Sequence, residues 1–520
     1  MRDLTNETTN SANSENHTTT SILPVLAKVD PQLADDAKAQ ICAEKERLAL
    51  VSRENGAKGG RPRIVRKELA KECYDNIFSQ NGHGILYHYR GEWHLYVDGC
   101  YVRTPEEDIE KKVAGWLIRN EAPDVTKNIV KDVLVNLKSD EFCGLTSKHT
   151  MPCFISTGES ANGFVSMRNG VINIDEIAAA QRNGLPPPPL LPHTQDLFTT
   201  FKLPYEYDPA ATCPKFITYL EGVQPRAENR EILQMLAGLL LTPDTSYNVG
   251  FFLYGPGGTG KSVFLSVLIG LVGEENTCCV PLGDFGSRFG TWPLTTHLLN
   301  AVGDMPAMPE SGWSANVEGC YKDVTDGRLV KVERKNENVY MAKVTARNVF
   351  ATNELPYFAD RSGAIRDRLR IIPFNQRFRN TAKQNSHLTE ELLEELPGIM
   401  NWAIKGLVKL HELTASSDVK TFPHCEEGRQ AVDDYLGSCD HEQEFLLEAT
   451  ESVPDNVVGS LYLYGDYKDW ATERGYRAVA IRKFLDAVKR EYPNATFSRR
   501  NDEHKRKVTF IQGISLLPFS

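Results

Sequence analysis

One stretch constrains this chain more than any other: FFLYGPGGTGKSVFLSVLIGLVG, residues 251–273. Val249–Tyr254 is an apolar run of strand length, and Val263–Leu271 continues as an apolar helix start. Between them Gly255, Pro256, Gly257, Gly258, Thr259, Gly260, Lys261 and Ser262 fit GxxxxGK[ST]. The chemistry explains the spacing. Glycines let the backbone wrap an anion and turn its N–H groups inward, and the helix N-terminus adds a favourable partial charge. Lys261 is then expected on the β- and γ-phosphates and Ser262 on a magnesium ion, so the spacing predicts ATP and Mg2+ as cofactors.

The elements after this loop extend the argument. From 247 to about 375, short apolar strands alternate with helices, the pattern of an open parallel sheet. HLLNAVGD at 297–304 is a second strand ending in Asp304, whose carboxylate is placed to hold the metal or its water shell. Met305 follows where a second acid is common, so Glu310 on the next loop is the candidate for polarising water. A third strand, ARNVFATN, ends in Thr352-Asn353, an amide suited to the γ-phosphate or lytic water. A fourth begins at Arg368 and runs RLRIIPF to Phe374.

The flanking regions read differently. Residues 1–30 are rich in Asn, Thr and Ser, too poor in large apolar groups to order. Residues 31–53 suggest a charged helix, and GGRPR at 59–63 a linker, giving a tail over 1–64. An α+β domain is expected over 65–205. In it 84–102 alternates as a hairpin turning at Arg90-Gly91-Glu92, helices follow at about 105–120 and 126–138, and two strands flank Asn169-Gly170. His88 and His94 on the hairpin read as sheet-face residues rather than ligands. Pro186–Pro189 is a stiff spacer. A helical collar over 215–242 opens the motor region, 206–425. The last unit, 440–520, has helices at 461–474 and 478–491 and a terminal hairpin.

Charge narrows the possible partners. The chain carries a net charge of -10, so any polyanion site must be a local basic patch. One patch runs through Lys322, Arg328, Lys331, Arg334, Lys335, Lys343 and Arg347, where period-two alternation around 334–338 predicts a hairpin with a basic tip. The other is Arg499, Arg500, Lys505, Arg506 and Lys507 on the terminal hairpin. The 11 cysteines form no CxxC pair, which argues against a zinc ribbon. No apolar run reaches membrane-span length and the start lacks a signal-peptide layout, so no membrane partner and a cytoplasmic location are expected.

The order of phosphate loop, Asp304, YKDVTDGRLVKVERKNENV, VFATNELP and DRSGAIRDRLRIIPF resembles superfamily 3 helicases. It is most similar to the phage and plasmid primase-helicases and the related poxvirus-type replicative helicases. NGVINI with FKLPYEYDP resembles the domain ahead of that family's motor, and LYGDYKDWATERGY with IQGISL its C-terminal winged helix. The resemblance implies an AAA+-like parallel-sheet motor, with an N-terminal α+β domain and a winged helix over 440–520. It further implies a homo-oligomer, a hexameric ring, moving along single-stranded DNA. Asn353 matches the sensor, Arg368 the arginine finger, and Lys322–Lys335 the hairpin that enters the ring channel. No room for a polymerase-type primase domain is found ahead of residue 80, so a separate primase or polymerase is the expected partner.

The reading is therefore an ATP-dependent replicative DNA helicase of a phage, plasmid or other mobile element, meeting single-stranded DNA in the channel and duplex DNA at the last unit. Its rivals are an ATP-gated origin-binding or loader protein and a P-loop small-molecule kinase. A kinase needs neither the basic hairpin nor an arginine fitted to act in trans.

Overall fold

The structure, a computed structural model, describes residues 66–120, 125–139, 142–146, 149–305, 315–334, 339–356, 358, 363–378, 385–416, 420–438, 441–474, 476, 478–501 and 507–517. The expected tail over 1–64 therefore lies outside the described residues, as do Glu310, Lys335, Lys505 and Arg506.

The chain divides into two compact units, Met1–Phe78 with Glu110–Phe142, and Ser79–Ile109 with Cys143–Ser520. In the first, helix α1 (Arg66–Ile77) packs on helix α2 (Lys127–Leu137). Ala70 and Cys73 on one helix and Val130, Val133, Leu134 and Leu137 on the other are buried at helical spacing. Thr126 caps α2 by accepting from Ile129 N at 3.4 Å, and Arg66 pairs with Asp132 at 2.5 Å.

The second unit opens on an antiparallel sheet of β1 (Leu86–Tyr89), β2 (Glu92–Val97) and β3 (Cys100–Thr104). The expected turn at Arg90-Gly91 is present with both φ angles positive, +49° and +84°. A second such turn at Asp98-Gly99, +48° and +89°, adds a strand to the expected hairpin. Two-residue turns of this hand match the twist of the strands they join, and the short polar residue with glycine at 98–99 is their signal. Strands β4 (Phe164–Ser166) and β5 (Val171–Asn173) pair antiparallel around Asn169-Gly170 as expected.

Five parallel strands follow: β6 (Gly250–Tyr254), β7 (Thr277–Cys278), β8 (Leu299–Val302), β11 (Arg347–Thr352) and β12 (Leu369–Pro373), in the order β7-β8-β11-β6-β12. These strands are nearly continuous apolar runs because both faces of the sheet are covered. Phe251, Leu253, Val349 and Ile372 face helix α5 (Lys261–Val272) and a collar made by α3 (Pro214–Val223), α4 (Ala227–Leu239) and α8 (Leu396–Thr414). Phe252, Phe350 and Ile371 face the other way, toward Phe285, Leu294 and Tyr321 of helix α6 (Ala315–Thr325). Strands β9 (Leu329–Val332) and β10 (Tyr340–Lys343) form the expected hairpin, and helix α7 (Ala364–Arg368) leads into β12.

The last region is richer than expected. It contains helix α9 (His441–Ala449), strand β13 (Thr450–Gly459), helices α10 (Ser460–Glu473) and α11 (Ile481–Glu491), and strands β14 (Thr496–Asn501) and β15 (Lys507–Leu516). The sheet order is β13-β15-β14. Only the two later helices and the hairpin are visible as sequence patterns. Pro454 hides β13, yet it is tolerated because β13 is an edge strand whose register breaks between Val453 and Val457. Phe445, Leu463, Tyr467, Trp470, Phe484 and Val488 fill its core. Among the described residues no helix is long and apolar enough to cross a membrane.

Candidate functional site

The glycine loop leaves β6 at Tyr254 and enters α5 at Lys261, so Gly255–Gly260 must turn the chain at the C-terminal edge of the sheet. Gly255 has φ +148° and Gly260 +95°. A Cβ on Gly255 would collide with the Phe374 carbonyl oxygen, and one on Gly260 would lie 2.7 Å from Val223 Cγ1. Glycine is required at both positions by space as well as backbone angle. The loop is fixed from three sides. Phe374 N donates to the Tyr254 carbonyl at 2.7 Å, Phe378 N to the Gly258 carbonyl at 2.8 Å, and Tyr219 Oη to the Gly260 carbonyl at 2.9 Å.

Lys261 is buried and turned back over the loop. Its Nζ donates to the carbonyls of Gly255 at 2.6 Å and Pro256 at 2.9 Å, and to Asn353 Oδ1 at 3.0 Å. Burial pushes its ammonium below the usual lysine range, and the charge of Asp304 opposes that shift. Asn353 follows β11, which pairs with β6 on one side and β8 on the other. Asp304 lies just past β8, so β11 sits between the strand of the loop and the strand of the acid. The structure thus brings Lys261, Asn353 and Asp304 to one edge. By the strand-order rule this is the ligand edge: β6 connects onward to the far side of the sheet while β12 lies on its other flank.

Arg368 lies elsewhere. It precedes β12, and Leu369 pairs with Gly250, so it stands at the opposite end of β6 from the loop, a strand length of roughly 16 Å. Its Nε and Nη2 donate to the two carboxylate oxygens of Asp326, each at 2.7 Å, and Nη1 to the Ala364 carbonyl at 2.6 Å. That carboxylate pushes the guanidinium above its ordinary pKa. Arg368 therefore cannot reach the loop of its own chain.

The basic residues of the middle hairpin separate. Lys331 is exposed and pairs with Glu333. Arg334 is mostly covered, pairs with Glu92, and lies over the Trp292 ring. Arg328 pairs with Asp323 and Asp326. Arg347 requires a correction: it belongs to no basic surface. It is buried in β11, where Nε donates to the Asp244 carbonyl at 3.1 Å and Nη1 to that of Tyr247, and burial lowers its pKa to about 10.

In the last region Arg499, Arg500 and Lys507 are exposed on β14 and β15, with Asn501 opposite Lys507. Sequence reasoning missed a second basic row. Helix α11 buries Phe484, Ala487 and Val488 and exposes Arg482, Lys483, Lys489 and Arg490, with Asp486 on the same face paired to Lys489 at 3.2 Å. The signal is present in IRKFLDAVKRE, where the apolar spacing that defines the packed face leaves these four residues opposite it. His94 is buried beside Glu92 and held neutral, its pKa lowered to about 4 by desolvation. Among the described residues no cluster of three His, Cys, Asp or Glu could hold a metal alone. A magnesium ion shared with phosphate oxygens and water does not need one, and the Ser262 hydroxyl with the Asp304 carboxylate is a fitting oxygen donor set for it.

Residues 253–368, from the strand before the loop through Arg368, match the model of a family of unknown function (DUF5906). Residues 69–225 match a model described as D5 N terminal like. Among solved structures the chain is similar to the apo structure of the NrS-1 C terminal region (305-718), at 13% identity and TM-score 0.49, covering 87% of this chain and 100% of that one. It is also similar to the A form apo structure of the same region, at 12% identity and TM-score 0.44, covering 81% and 94%.

Proposed function

We propose that this chain is an ATP-driven replicative DNA helicase of a mobile genetic element, working as a ring on single-stranded DNA. The observation that carries the reading is the 3.0 Å contact between Lys261 Nζ and Asn353 Oδ1, which joins the glycine loop to the end of a second parallel strand. The D5 N terminal like match ahead of the loop supports the resemblance to superfamily 3 replicative helicases.

In this reading the N–H groups of Gly257–Ser262 cradle the phosphates and Lys261 turns from Asn353 toward the β- and γ-oxygens. Ser262 and Asp304 would hold Mg2+, which when bound neutralises charge building on the phosphate oxygens. Asn353, released by Lys261, orients the attacking water by its amide. Arg368 serves the loop of a neighbouring copy. Lys331 and Lys335 meet the single strand. Residues 440–520 act as a winged helix, with α11 and the β14–β15 wing on duplex DNA.

The test is ATP turnover with and without single-stranded DNA, for wild type and Lys261→Ala, together with strand displacement. DNA-stimulated turnover and displacement in the wild type, both abolished in the variant, are expected. Turnover in Lys261→Ala near the wild-type rate would sink the site assignment, and turnover that DNA never stimulates would point to the kinase.

A further inference from the structure

Trp292 stands where the β9–β10 hairpin meets the β1–β3 sheet, and its surroundings are unusual. The guanidinium carbons of Arg103, from β3, and of Arg334, at the end of β9, each lie 4.9 Å from the centre of its ring. Glu92, at the start of β2, pairs with both arginines. The indole Nε1 is buried with no hydrogen-bond acceptor among the described residues, so the ring is held through its π system rather than its N–H. The segment carrying Trp292 is pinned to the same strand twice more. Thr291 Oγ1 donates to the Lys331 carbonyl at 2.8 Å, and Arg288 Nε pairs with Glu333 at 2.6 Å.

We propose that Trp292 is the positioning residue of the hairpin: the Arg103–Trp292–Arg334 stack, closed by Glu92, makes the hairpin base and the β1–β3 sheet move as one piece. Two partly desolvated guanidiniums on one indole, sharing a carboxylate, form a joint that neither hairpin nor sheet completes alone. Its part in moving DNA rests on the helicase reading above; its mechanical part does not. Arg334 then anchors the hairpin instead of meeting phosphate.

The experiment compares the full chain with three variants. Trp292→Leu keeps bulk and removes the π face, Trp292→Phe keeps a π face, and Glu92→Gln keeps the ring but weakens its closure. Amide hydrogen exchange is read at β9–β10, at β1–β3, and at the five-stranded sheet as a control. Trp292→Leu and Glu92→Gln should each raise exchange about tenfold at both outer sites together, the size expected for removing a cation–π stack or an ion pair. The control should not change, and Trp292→Phe should restore most protection. If Trp292→Leu unfolds, Glu92→Gln decides. Exchange that rises at one outer site alone, or at neither, overturns the proposal. Strand displacement and ATP turnover separate the two claims. Coupled loosening in a protein whose wild type displaces no strand upholds the joint and removes the helicase reading. Abolished displacement with basal turnover intact, and rescue by Phe, upholds both. Displacement unchanged despite loosened exchange overturns the positioning role.

Discussion

The glycine loop and the β9–β10 hairpin are both short connections beside the same sheet, and both are marked in the sequence by residues suited to phosphate. They differ in what makes their chemistry. At the loop the groups proposed to bind are backbone N–H groups, whose direction follows from Gly255 and Gly260 and from strand and helix on either side. At the hairpin the groups are long side chains, whose direction follows from neighbours far away in sequence. Lys331 and Arg334 look alike along the chain, yet one is exposed beside Glu333 and the other is stacked on Trp292 and paired with Glu92. A backbone site is determined locally; a charged surface is determined by what the fold leaves unpaired.

The sharpest way to break this comparison is at Arg368, a long side chain assigned a role in catalysis. Arg368→Ala should bind ATP but lose roughly 10³–10⁵ in turnover if the guanidinium serves a neighbouring loop. Mixing it with Lys261→Ala should then restore activity, because mixed rings contain intact interfaces. Should Arg368 only brace Asp326, mixing restores nothing and the variant shows weakened stability instead.

A smaller effect is expected at the last region. Replacing Arg482, Lys483, Arg499 and Arg500 with Ala should weaken duplex binding and flatten its salt dependence, by a slope of about 0.9 for each phosphate left unneutralised. Basal turnover should persist, since none of these residues adjoins the loop. An unchanged salt slope would assign this region to protein docking.

The smallest effect concerns His94. Its pKa is lowered in the folded chain to about 4 from 6.5, so the unfolded chain binds the proton first as pH falls. The stabilisation is complete above about pH 6.5 and is lost as pH falls toward 4. Between pH 7 and 5 the β1–β3 sheet should lose about 2 kcal/mol, seen as faster local hydrogen exchange, and His94→Gln should remove that slope. An identical slope in the variant would place the titration elsewhere.

The same contrast explains what was legible. The parallel strands at 250–254, 299–302, 347–352 and 369–373 were readable because burial on both faces writes continuous apolar runs. The placement of Lys261, Asp304 and Asn353 at one edge was readable because Asp304 and Asn353 follow strand ends and Lys261 opens the helix after the glycine loop. Strand β13 was not, since Pro454 and a register break erase the alternation that marks a strand. The third strand at 100–104 was missed because Asp98-Gly99 was absorbed into one long hairpin. Arg347 was misread because a buried arginine spent on the carbonyls of Asp244 and Tyr247 is indistinguishable, along the chain, from an exposed one. The basic face of α11 is legible in IRKFLDAVKRE as the side opposite Phe484, Ala487 and Val488.

In the proposed function the glycine loop, Asn353 and Asp304 form one ATP-hydrolysing site. It is tested most directly by measuring ATP binding and turnover side by side in Asp304→Asn. The amide keeps the shape and removes the charge that a metal needs, while Lys261 and the loop stay in place. Retained nucleotide binding with turnover abolished is the predicted result. Turnover at the wild-type rate in Asp304→Asn would contradict the account.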